Sequence, residues 1–104
     1  MQGASHVSSS DGITVLVPTP LRGFTGGEGR VIVSGATVAE VLDALEARYP
    51  GIGERLRDDS GQIRRFVNVF VNGRNVREID GAATVLTPGD ELGIIPAMAG
   101  GRPA

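Results

Sequence analysis

The stretch TVAEVLDALEARYPGI, residues 37–52, decides the fold. Thr37 has a hydroxyl that can accept from the free N–H groups of a first helical turn, and Glu40, three residues on, has the spacing of a capping-box partner. Val38, Val41, Leu42 and Leu45 recur at i, i+3, i+4 and i+7, and Tyr49 continues the row. One stripe is therefore apolar, with Asp43, Glu46 and Arg48 expected to face water. Pro50 and Gly51 end the pattern, because a proline biases the residue before it away from helical angles. The spacing predicts one amphipathic helix over Thr37–Tyr49. Burying four such side chains at roughly 1.5–3 kcal/mol each makes this stripe the largest stabilising contribution legible in the chain.

On the N-terminal side, Ile13, Val15 and Val17 alternate with Thr14 and Leu16, a half-buried strand closed by Pro18 and Pro20. Leu21 to Gly29 reads as a glycine-rich loop, and Arg30 to Ser34 as a second short strand that completes a hairpin. On the C-terminal side, Ile52 and Leu56 are expected to dock under a loop or a single helical turn. FVNVFV, residues 66–71, puts Val67, Val69 and Val71 on one face and Phe66, Asn68 and Phe70 on the other. A core position for Phe66 and an exposed one are both compatible with this pattern. Asn72-Gly73 follows, a pair suited to the positive φ angles of a type I′ turn, with Arg74 to Arg77 as the return arm. Leu92 to Ile95 is the last strand, stopped by Pro96. Strand, strand, helix, strand, short strand, strand makes an α+β domain: a mixed sheet of about five strands with one main helix packed across it. The expected organisation is a disordered lead over residues 1–12, the folded domain over 13–97 and a flexible tail over 98–104.

With 104 residues, one small core is all the chain can build, and any active site would be shallow or shared. Twelve acidic against ten basic side chains disfavour a DNA- or RNA-binding role, which needs a positive surplus to neutralise phosphates. No cysteine is present, so disulfides and thiolate-held metals are excluded. All ten basic residues are arginine, which leaves no side-chain amine for Schiff-base or isopeptide chemistry. No signal-peptide core and no long apolar run appear, so the reading is of a cytoplasmic protein without a membrane partner.

Few constellations suggest chemistry. His6, the single histidine, lies in the lead, and the pairs Asp58-Asp59 and Asp90-Glu91 lack calcium-loop spacing; no metal site is expected. Gly26, Gly27 and Gly29 precede a strand instead of a helix, which disfavours a phosphate loop. Arg64, Arg65, Arg74 and Arg77 form a basic cluster that fits either a solvated rim or a docking surface with Phe70 as its apolar centre. The ending AMAGGRPA, residues 97–104, has small or unbranched side chains up to Gly101, suited to a narrow channel, though an ordinary frayed terminus has the same composition.

RYPGI after the amphipathic helix, then RRFVNVFVNGRNVR, then LTPGDELGIIPAMAGG, resembles the ubiquitin-like β-grasp sulfur carriers of thiamin and molybdopterin biosynthesis. The resemblance covers about Ile13 to Gly101 and is nearest the actinobacterial cysteine-biosynthesis branch. It implies a protein that is a substrate for partner enzymes and not itself an enzyme. It implies that the Gly101 carboxylate is adenylated by a ubiquitin-activating-like enzyme using ATP, with no cofactor bound by the carrier itself, and is then converted to a thiocarboxylate. Gly100, Ala99 and Met98 would thread the tail into partner sites, and Phe70, Arg74 and Arg77 would form the partner surface. Further implied partners are a sulfurtransferase or other sulfide source and an acceptor such as a cysteine-synthase-like enzyme, the sulfur going to cysteine, a cofactor or a sulfur-containing metabolite. Residues 102–104 lie beyond the double glycine, so a metal-dependent peptidase cutting between Gly101 and Arg102 is implied as well. The alternative reading is a non-catalytic β-grasp interaction module.

Overall fold

The computed structural model describes residues 12–96. The predicted tail and residues 1–11 of the predicted lead lie outside that range; Gly12, placed in the lead, instead belongs to the folded domain, buried and with its carbonyl accepting from the Gly89 N–H at 3.0 Å. Five strands, β1 (Ile13–Leu16), β2 (Arg30–Val33), β3 (Val67–Val71), β4 (Arg74–Asn75) and β5 (Glu91–Pro96), form one sheet in the order β2-β1-β5-β3-β4. β5 runs parallel to β1, and the other neighbours are antiparallel. Helix α1 (Val38–Arg48) packs across one face, followed at once by the short α2 (Ile52–Leu56). This is the β-grasp arrangement, and no described helix is long and apolar enough to cross a membrane.

The core is the meeting of two periodicities. Val38, Val41, Leu42 and Leu45 of α1 are fully buried against Ile13, Val15, Val67, Val69, Leu92 and Ile94, the inward residues of the three central strands. Nearly all the core side chains are aliphatic, so the interior holds little polar surface that would need a partner. The Asn72-Gly73 turn has φ of 51° and 90°, both left-handed as a type I′ turn demands. Asn72 also ties this turn to β5: its Nδ2 donates to Asp90 Oδ1 at 3.0 Å, and its Oδ1 accepts from the Glu91 N–H at 3.0 Å. The Thr87 N–H beside Asp90, helped by Asn72, holds the Asp90 carboxyl below the usual carboxylate range.

Several local expectations are corrected by what the side chains touch. Overlapping the predicted loop Leu21 to Gly29, residues Thr19–Thr25 wind into a 3₁₀ helix, because Pro20 suits its first turn and Leu21 is drawn into the core. Glu40 does not reach back to Thr37; the Glu40 N–H donates to Thr37 Oγ1 at 3.2 Å, while its own carboxylate accepts from the Ala36 N–H at 2.9 Å. Glu46 does not simply face water. Its carboxylate accepts from the N–H groups of Gly51 at 3.0 Å and Gly53 at 2.7 Å, thereby capping α2. Those two donors lower its pKa. The return arm pairs only at Arg74 and Asn75, because Val76 turns fully into the core and starts a 3₁₀ turn over Val76–Glu78. Phe66 is 51% exposed and precedes β3, so it is not a core residue.

Leu42→Ala is expected to lower stability by about 2–5 kcal/mol, and Leu42→Asp to abolish cooperative unfolding, both measurable by urea denaturation. Because the Glu46 pKa is lowered on folding, its contribution is complete above the ordinary glutamate value of about 4.3 and disappears as the pH falls through the lower folded value. Thermal melts of Glu46→Gln should therefore show a smaller loss of melting temperature between neutral and strongly acidic pH than those of the wild type.

Candidate functional site

The outward face of the sheet is built by the alternate residues that the core does not use. Along one row the register aligns Arg30 with Leu16, Leu16 with Gly93, Gly93 with Phe70 and Phe70 with Asn75. Gly93 therefore lies between two large apolar side chains without one of its own. A Cβ placed there would meet nothing within 4 Å. The result is a shallow trough of about 300 Å³ lined by Leu16, Phe70, Gly73, Glu91, Gly93 and Ile95. Ile95, 54% exposed, and Ile32, 46% exposed, extend the apolar surface across the sheet. Exposed aliphatic side chains around a concave floor are suited to receiving an apolar side chain from another molecule.

Phe70 sits at this trough, half-buried, but the two arginines read with it do not share its position. Arg74 pairs with Val71, whose side chain points toward the core, so the register sets Arg74 on the opposite side of the ribbon from Phe70. Arg77 is committed to the main chain: its guanidinium donates to the carbonyls of Val67 at 2.9 Å and Arg64 at 2.7 Å. A further bond of 3.3 Å reaches Asn68 Oδ1, bringing Arg77 to the rim of the outward face. Arg64 donates through Nε to the Glu54 carbonyl at 2.7 Å. The basic cluster is thus partly a set of braces. Leu16, Gly93 and Ile95 were not singled out from the sequence, although the outward parity of Leu16 against Ile13 and Val15 was a usable signal.

β5 is the central strand and its last paired residue is Pro96, opposite Val67. The chain leaves the sheet there, a short distance from Ile95 and the trough. Met98, Ala99, Gly100, Gly101 and Arg102, the residues tied by resemblance to sulfur chemistry and cleavage, lie outside the described residues. Among the described residues, no three His, Cys, Asp or Glu side chains gather as a metal site. What the described domain offers is a surface for binding.

A family model described as the ThiS family matches residues 15–101. The sulfur carrier protein CysO of Mycobacterium tuberculosis is 50% identical over 91 residues, spanning 86% of this chain and 98% of that protein. In the crystal structure of the Amycolatopsis orientalis BexX/CysO complex, one chain is 46% identical with a TM-score of 0.81, the match covering 86% of this chain and 99% of that one. The crystal structure of Mycobacterium tuberculosis CysO gives 48% identity and a TM-score of 0.78, over 82% and 98% of the two chains. With a family match over most of its length, and a half-identical carrier matched almost end to end, the chain belongs to the ThiS family of sulfur carriers, proteins on which enzymes act and which are not enzymes themselves.

Proposed function

We propose that this carrier works through the carboxylate of Gly101 after a peptidase removes Arg102, Pro103 and Ala104. The observation that carries the reading is that the family match runs through residue 101 and leaves the last three residues outside it. In the full chain the Gly101 carbonyl is an amide, which cannot be adenylated. Hydrolysis of the Gly101–Arg102 bond frees a carboxylate. Attack of that carboxylate on the α-phosphate of ATP, in a ubiquitin-activating-like partner, releases pyrophosphate and leaves an acyl-adenylate. Sulfide then displaces AMP directly, a C–O bond breaking as the C–S bond of the thiocarboxylate forms; a sulfurtransferase persulfide would instead give an acyl disulfide, whose S–S bond a second thiol cleaves to release the thiocarboxylate and leave a disulfide on the donor. The carrier needs no cysteine for this, since the sulfur is held at the chain end. Gly100, Ala99 and Met98 give a narrow profile for threading into the partner sites.

The acceptor is a biosynthetic enzyme that takes the sulfur into cysteine, a cofactor or a sulfur-containing metabolite, a cysteine-synthase-like enzyme being one such; the half-identical mycobacterial sulfur carrier supports the carrier role itself. The outward trough around Phe70, with Arg77 at its rim, is the face on which an activating or accepting partner would seat. Arg74, exposed at the neighbouring edge, would contribute long-range attraction to acidic partner groups. The Amycolatopsis relative was crystallised in complex with BexX, which supports a carrier that works while held by a protein partner.

Intact-mass spectrometry tests the chemistry. Processing should remove about 324 Da and one positive charge, and the form ending at Gly101, given its activating enzyme, ATP and sulfide, should gain about 16 Da as sulfur replaces oxygen. The uncut chain under the same conditions should gain nothing. A Gly101-ended form that never acquires the sulfur mass would leave an interaction module in place of a carrier. For the binding face, Phe70→Ala should weaken activating-enzyme affinity on the order of tenfold in calorimetry. Gly93→Leu should do the same by filling the trough, with the melting temperature of either variant close to wild type. Unchanged affinity in both would remove this face from the interface.

A further inference from the structure

A second concavity lies on the other side of the point where β5 ends. It is a groove of about 480 Å³ walled by Pro20, Phe24, Phe66 and Pro96, with Arg55 and Arg64 on its rim. Its floor is the top of the core, because Leu21 and Val67, both buried, also contribute to it. Three features set it apart from ordinary surface. Phe66 leaves half of its area exposed here although no strand pairing holds it in place. The Arg55 guanidinium lies 5.7 Å from the centre of the Phe24 ring, so one cation is stacked on the groove wall and held there. Arg64 is anchored through Nε to the Glu54 carbonyl, and its terminal nitrogens make no hydrogen bond among the described residues. Glu54 is the one acid on the wall against the two cations Arg55 and Arg64, and Arg64, which also borders an acidic concavity at Asp58 and Asp59, shares its charge with Asp58.

We infer that this groove docks an extended segment of a partner protein that carries an apolar side chain flanked by carboxylates. The apolar side chain would cover Phe24, Phe66 and Pro96, and the carboxylates would pair with the guanidinium groups of Arg55 and Arg64, whose planar forks suit that geometry. The position gives such contact a purpose: Pro96 is both a groove wall and the last residue of β5, so a partner seated here grips the carrier at the base of its working end. This purpose rests on the carrier reading proposed above; the binding site itself does not. The groove and the outward trough are on separate sides of the β3–β5 ribbon, so two partners could hold the carrier by different surfaces.

The probes are two peptides, N-acetyl-Glu-Asp-Leu-Asp-Glu-amide and its basic counterpart N-acetyl-Lys-Arg-Leu-Arg-Lys-amide, titrated into the isotopically labelled full chain and followed by NMR. The acidic peptide should shift the amides of Arg55, Phe66 and Val67 in a saturable manner, and the basic one should not. Arg55→Glu and Phe66→Asp, both at exposed side chains, should each weaken that binding by about tenfold while the melting temperature holds. Equal shifts with both peptides, none with either, or shifts confined to the trough at Leu16 and Gly93 would overturn the assignment. Two rival occupants have their own signatures. Stronger peptide binding in Met98→Ser would mean that this chain's own C-terminal segment competes for the groove, and a dimer in sedimentation that Phe66→Asp dissolves would mean that a second copy fills it. Either result also overturns the proposal. None of these measurements uses ATP or sulfide, so failure here and failure of the sulfur-mass experiment are independent.

Discussion

Everything in this domain depends on β5 being held on both sides. Its residues pair in parallel with β1 through Thr14–Leu16 and antiparallel with β3 through Val67–Val71, so six residues fix the register of three strands at once. Because side-chain direction alternates along a strand, this double pairing also fixes which residues face the helix and which face out. Leu92 and Ile94 point into the α1 stripe, while Gly93 and Ile95 take the outward positions. A slip of one residue would bury the trough and expose the core. The same constraint sets where the chain leaves the sheet at Pro96, and hence where the residues that follow begin.

Arginine chemistry supplements the small core. Arg22 donates to the Val17 carbonyl, Arg48 to Ile32, Arg64 to Glu54, and Arg77 to both Val67 and Arg64. Arg57 pairs with Asp43 at 2.7 Å, linking α1 to the segment after α2. The contacts to Val17, Ile32 and Val67 satisfy carbonyls at strand ends and edges, and those to Glu54 and Arg64 satisfy carbonyls of a short helix and a connecting segment, with a donor fork whose geometry a lysine ammonium cannot reproduce. Arg48 is instructive: it caps a carbonyl on β2, an edge strand that would otherwise present an open template to other chains. A composition with ten arginines and no lysine is therefore used in part as scaffold.

The fold was legible because its strongest signals are local and mutually consistent. The i, i+3, i+4, i+7 stripe of α1, the alternation in VNVFV and the Asn72-Gly73 turn each depend on residues close in sequence, and each reappears in the structure with its expected geometry. What escaped were interactions across distance. Glu46 looks solvent-facing on a helical wheel because the Gly51 and Gly53 N–H groups it caps belong to the next helix. Arg77 looks like free surface charge because its carbonyl partners lie 10 and 13 residues earlier. The trough needed the register of β1, β5 and β3 together, since the parity of Leu16 shows only which way it faces and Gly93 becomes its floor only between Leu16 and Phe70.

That register explains how a domain with so little chemistry of its own can serve chemistry elsewhere. The described residues hold neither histidine nor cysteine, and several of their acidic side chains are spent on turns and caps: Asp58 on the Ser60 and Gln62 N–H groups, Asp90 on Thr87, Glu46 on α2. A carrier has no need of a reactive centre within its fold; it must present one chain end in a fixed relation to a surface that partners can grip. Central placement of β5 meets both needs with one element. Pairing on both edges at Leu92 and Gly93, continued on the β3 side to Pro96, carries the strand out of the core in a fixed register, and the outward residues of the same strand form the floor of the surface beside it. A terminal edge strand could give the exit point but would lack the second neighbour that completes the trough, since Leu16 on one side and Phe70 on the other are what turn Gly93 from a gap into a site.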